Sequence, residues 1–158
     1  MPAEFRNEGR TVTVNDTRWL MSLLAGETVS KRKKCLASLV AKHLISLGHE
    51  ASVVENRKNS AGHIDRVVVE SSIGLIHLTA SSSREANAAI PAADFKDGDQ
   101  SFLADKTYVA YGWNSKDQRT VIMFVEAAKI WGKKSLTKNE IRQLSERHLN
   151  KVISYEEP

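Results

Sequence analysis

His63-Ile64-Asp65-Arg66-Val67-Val68-Val69-Glu70, then Ser71-Ser72-Ile73-Gly74, then Leu75-Ile76-His77-Leu78-Thr79-Ala80-Ser81-Ser82-Ser83, reads as a strand, a turn and a second strand. The Val, Ile and Thr side chains suit a pleated, half-buried surface, and the Ser/Gly tetrad suits a tight reversal. Alternation puts Val67 and Val69 on one face with Asp65, and Arg66, Val68 and Glu70 on the other. Upstream, Cys35/Leu36, Leu39, Val40, His43, Leu44 and Leu47 recur at three- and four-residue steps, which predicts a helix over Ser30–Leu47 with Gly48 as its stop. Ala51–Glu55 follows as a strand. The stretch therefore predicts a helix, a strand and a strand pair in that order.

Working outward, Thr11–Val14 suggests a short strand within an N-terminal arm, residues 1–14. Asn15 or Asp16 can cap a helix that runs to about Ala25, with Trp19, Leu20, Leu23 and Leu24 as its apolar face. Downstream, Tyr108–Tyr111 and Val121–Val125 read as strands, and Tyr111–Gln118 as the hairpin connection between them. Ser83–Ile90 reads as a short helix ended by Pro91, and Asp94–Asp105 as a polar, acidic loop. Thr137 and Glu140 have the spacing of a capping box, in which each side chain satisfies the other residue's backbone N–H. The helix they open is expected to bury Ile141, Leu144, His148/Leu149 and Val152. The expected fold is α/β, a mixed five-stranded sheet flanked by helices, with residues 15–158 as one domain.

The chain has 158 residues, 41% hydrophobic and 27% charged, which suits one soluble globular core. No apolar run approaches the ~20 residues that span a bilayer. The first ten residues lack the apolar core of a secretory signal, so no membrane partner and a cytoplasmic location are expected. The single cysteine, Cys35, lies on the apolar helix stripe and is expected to be a buried thiol. Net charge is +4 and unevenly spread. Lys31-Arg32-Lys33-Lys34 is an unbroken basic run, and residues 129–151 carry seven basic against two acidic side chains.

The order helix, strand, strand pair, with an acid opening the second strand and a Ser-rich end on the third, resembles the core of the PD-(D/E)xK nuclease superfamily, the restriction-endonuclease-like fold. That resemblance implies two carboxylates holding a divalent cation, usually magnesium, beside a lysine that activates water, often with a glutamate from the preceding helix. Asp65 matches the first acid. His77-Leu78-Thr79 stands where acid-x-Lys belongs, and Ser30–Leu47 contains no Asp or Glu. Asp94-Phe95-Lys96 spells the triplet, but in a loop. The catalytic candidates are thus Asp65 and His77, a poor pair for a cation that prefers hard oxygen ligands. His63, His77 and Asp65 have the residue types of a zinc site, yet histidines on adjacent strands are common without metal. No metal site is assigned, and magnesium enters only if the site is active.

Lys31, Arg32, Lys33 and Lys34 fall in the first turns of a helix, where the backbone dipole disfavours positive charge. A basic run that works against its own helix suits a phosphate-bearing partner. With Lys133 and Lys134 from the second basic region, these residues are the nucleic-acid-binding candidates. The expected function is nucleic-acid binding by a nuclease-like domain with a degenerate active site, a type that suits a phage or mobile element. The alternatives are an active metal-dependent nuclease with rearranged ligands, and an inhibitor that docks its basic patch on an acidic protein.

Overall fold

The computed structural model describes residues 29–58, 64–81, 83, 85–92, 107–117, 119–130 and 132–154. In chain order the elements are helix α1 (Val29–Ser46), strands β1 (Ala51–Lys58), β2 (Ile64–Ser71), β3 (Gly74–Ser81), β4 (Ala89–Pro91), β5 (Thr107–Asn114) and β6 (Arg119–Glu126), a 3-10 turn (Ala127–Ile130), β7 (Ser135–Thr137), α2 (Lys138–Leu144) and β8 (Lys151–Ser154). Six strands form one sheet in the order β1-β2-β3-β5-β6-β8, and β4 and β7 form a separate antiparallel pair. Among the described strands, β3 and β5 pair in parallel and every other pair of neighbours in the large sheet is antiparallel. The fold is α/β with a mixed sheet, one strand wider than the sequence suggests. The expected strand at Thr11–Val14, the helix from Asn15 or Asp16, His63 and the Asp94–Asp105 loop lie outside the described residues.

Three layers follow from the side-chain alternation. On one face Val67, Val69, Ile76, Leu78, Ala110, Ile122 and Phe124 pack against Leu36, Leu39, Val40 and Leu44 of α1. On the other, Val109, Tyr111, Trp113, Val121 and Val125 pack against Ile90, Leu136 and Ile141, the layer of β4, β7 and α2. Each large aliphatic side chain so buried contributes about 1.5–3 kcal/mol. The apolar stripe of α1 is as its periodicity predicts, except that Leu47 lies past the helix end and is exposed. Gly48 terminates the helix with a φ of 94°, and the His49 N–H returns to the Leu44 carbonyl at 3.0 Å. That is the left-handed glycine stop anticipated there. The β2–β3 hairpin also forms as expected, with Ser71 opposite Gly74 and Val69 opposite Ile76.

Three expectations fail, each where a distant partner decides local structure. Ser83–Ile90 is not a helix: Ala86 and Asn87 turn, and Ala89–Pro91 is a strand, with Pro91 opposite Ser135 of β7. Proline is tolerated there because a two-stranded pair leaves one row of N–H groups unused. Tyr111–Gln118 is not all connection, since β5 runs through Asn114 and Tyr111 and Trp113 are 0% and 1% exposed. The reversal is confined to the residues after Asn114, where the Ser115 N–H donates to the Arg119 carbonyl at 2.8 Å. Finally, α2 stops at Leu144, where Ser145 is extended at φ −72° and ψ 155°. The Asn150 side chain accepts from the Phe124 N–H at 2.9 Å and donates to the Ser145 hydroxyl at 2.8 Å, which steers the chain into β8 beside β6. Leu149 is buried in the turn before β8 and Ile153 is buried within β8, while Val152 and His148 are exposed.

Candidate nucleic-acid interface

Helix α1 lies across the sheet so that its first turns reach the end of β1: Lys34 Nζ is 2.9 Å from Glu55 Oε1. Both partners are about half exposed, so the ion pair adds roughly 0–1 kcal/mol. Its larger effect is on charge, because it neutralises Lys34. Lys31 is exposed, Arg32 and Lys33 are half-buried, and the first turn of α1 contains no acidic residue. On β1, Lys58 is exposed and Arg57 Nε is 3.2 Å from Glu70 Oε2.

Lys133 and Lys134 are also exposed, between the 3-10 turn and β7. They belong to the layer that covers Val109 and Tyr111, whereas Lys31–Lys34 belong to the layer that covers Val67 and Ile76. The two basic clusters therefore stand on opposite sides of the large sheet and do not form one surface.

The catalytic candidates are also kept apart by register. Asp65 stands opposite Arg57 in the β1–β2 ladder. Counted from the Val69–Ile76 pair, its position has the parity of Val67 and Val69, while His77 has the parity of Val68 and Glu70. Positions of opposite parity on paired strands belong to opposite faces of a pleated sheet. Throughout α1 there is no acidic side chain, and among the described residues no three His, Cys, Asp or Glu side chains converge as a metal site. No described helix is long and apolar enough to cross a membrane.

Lys138, which the sequence reading left among the general basic residues, is 1% exposed. Its Nζ donates to the carbonyls of Ser83 at 2.9 Å and Glu85 at 2.7 Å and lies over the Trp113 ring. Burial, with the Arg142 charge adding to it, pulls the Lys138 ammonium below its ordinary range, and Glu85 opposes this. A signal was present: Lys138 follows the Thr137 cap and so sits at a helix start, where a cation is electrostatically misplaced. Trp113 and Tyr111 lie in this buried layer, which removes them as base-stacking surfaces. The Tyr111 hydroxyl donates to the Ala92 carbonyl, and burial holds its phenol well above the ordinary range. Cys35 is buried, and its thiol is pushed up to about 12, far from a reactive thiolate.

Comparison with known protein families, curated proteins and solved structures finds no match.

Proposed function

We propose that this protein binds nucleic acid through the start of α1, using Lys31, Arg32 and Lys33 on the phosphate backbone, and does not cleave it. The observation that carries the reading is the concentration of these cations on first turns that hold no acidic residue. Such an arrangement costs the isolated helix a few tenths of a kcal/mol per charge, which an anionic partner offsets. The absence of cleavage rests on the acid-free α1, the His77-Leu78-Thr79 triplet and the opposite parities of Asp65 and His77. The order α1, β1, β2, β3 supports the comparison with a nuclease-like core but carries no activity with it.

The test is fluorescence anisotropy on random-sequence duplex and single strands at low salt. Wild type binds, Lys31→Ala/Arg32→Ala/Lys33→Ala loses most of the affinity, and Lys133→Ala/Lys134→Ala on the opposite layer stays close to wild type. Absence of wild-type binding to any of these nucleic acids sinks the reading and leaves the basic patch to an acidic protein partner.

A further inference from the structure

Strand β1 is eight residues long and forms one edge of the large sheet. Its outward-facing backbone groups can be assigned. Ser71 and Gly74 close the two-residue β2–β3 turn, so Ser71 directs its N–H and C=O to β3 and Glu70 directs its own to β1, opposite Ser52. The Ser72 N–H bond to the Glu50 carbonyl, 2.9 Å, has the same sense. Ser52 and Val54 therefore spend their backbone groups on β2, while Ala51, Val53 and Glu55 direct theirs away from the sheet. Among the described residues no strand lies on that side. Val53 is 38% exposed there. An edge of this length is a template for another strand unless something covers it.

The charges identify the occupant. Glu50 precedes β1, Lys58 ends it, both are exposed, and neither has an ion-pair partner among the described residues. A strand with an acid at its start and a base at its end is complementary to an antiparallel copy of itself. Two-fold registers centred on any residue from Ala51 to Glu55 let outward-facing residues meet, and those centred on Ala51 or Ser52 set Lys58 against Leu44 or Ser46 of α1. Centring on Glu55 sets two carboxylates opposite each other, which is destabilising. Centring on Val53 leaves Lys58 facing Gly48. Centring on Val54 puts Glu50 opposite Lys58 twice, and Val53 opposite Glu55 in the bonded positions. Asn56, left-handed at φ 57°, interrupts the outward ladder after Glu55 and leaves two Val53–Glu55 exchanges, while the register to β2 continues through Arg57 and Lys58.

We infer that two copies of this chain associate through β1, antiparallel about Val54, joining their sheets into one of twelve strands. The short ladder makes this a concentration-dependent dimer, with the two α1 helices on the same face of the joined sheet.

The test is sedimentation equilibrium of the full chain over a wide concentration range. Wild type dimerises. Glu50→Lys and Lys58→Glu each weaken the dimer about tenfold, and the double swap, which restores opposite charges, recovers most of it. Val53→Pro abolishes the dimer while leaving the β2 ladder and the circular dichroism intact, because the N–H it removes points outward. A wild type that is monomeric throughout overturns the inference. So does a double swap that associates no better than the single variants, a comparison that stands even if the proline variant fails to fold.

Discussion

Lys138 Nζ lies 5.3 Å from the centroid of the Trp113 ring, while Arg142 approaches the same ring with its guanidinium carbon 5.7 Å away. Two cations thus share one indole, and Lys138 is held by the carbonyls of Ser83 and Glu85. The contact joins three segments: the chain after β3, the end of β5 and the start of α2. Lys138→Met keeps the aliphatic bulk but leaves those two carbonyls without their donor. The expected loss is about 1–3 kcal/mol, the scale for a buried polar group left unsatisfied. Urea unfolding followed by Trp fluorescence measures it, and Lys133→Ala, an exposed lysine nearby in sequence, should stay within about 0.5 kcal/mol of wild type.

Gly112 is a point of close approach between β5 and α1. A Cβ at that position meets Leu36 Cδ1 at 2.6 Å, and Leu36 is fully buried. Gly112→Ala is expected to destabilise by about 1–3 kcal/mol through overpacking. Adding Leu36→Val shortens the opposing side chain and should recover part of that loss. The double-mutant coupling, read from denaturation midpoints, distinguishes this steric account from a general cost of altering β5.

His43 gives the fold a pH dependence of defined sign. Burial holds its imidazole below the ordinary value of 6.5, with Lys151 adding to this and the bond to the Leu149 carbonyl, 2.8 Å, opposing it. A depressed histidine means that the unfolded chain binds the proton more readily. Stability is therefore fully present above pH 6.5 and falls as the pH drops through the window below it. Wild type should show a lower urea midpoint at pH 5 than at pH 7.5, and His43→Gln a smaller difference between the two. Equal differences in the two proteins would assign the pH response elsewhere.

The parts of the fold legible in the sequence are those with a local period. The α1 stripe, the Gly48 stop, the β2–β3 hairpin and the Thr137–Glu140 capping box each depend on residues within a few positions of one another, and each forms. Ala89–Pro91 and Lys151–Ser154 are too short to show a period, and they are strands only because β7 and β6 pair with them. The helix-start position of Lys138 was legible but its burial was not, since that depends on carbonyls more than fifty residues away. For the candidate site, the basic run of α1 was readable from spacing alone. Its neutralisation at Lys34 and its separation from Lys133 and Lys134 both required the layers.

The proposed absence of cleavage makes its own prediction. With magnesium or manganese present, purified protein should leave single- and double-stranded DNA intact over prolonged incubation. Asp65→Ala should retain the binding affinity of wild type, since the proposed contacts come from α1. Metal-dependent cleavage that disappears in Asp65→Ala would establish an active nuclease with rearranged ligands.

The most direct test of backbone recognition by α1 is the salt dependence of binding. Each phosphate neutralised by Lys or Arg contributes about −0.9 to the slope of log affinity against log salt on duplex DNA. Replacing Lys31, Arg32 and Lys33 with Ala is expected to flatten the slope by about 2 to 3, and to do so alike on unrelated sequences, because phosphate contacts carry no base information. A triple variant whose slope equals that of wild type would contradict the account and place the contacts on another surface.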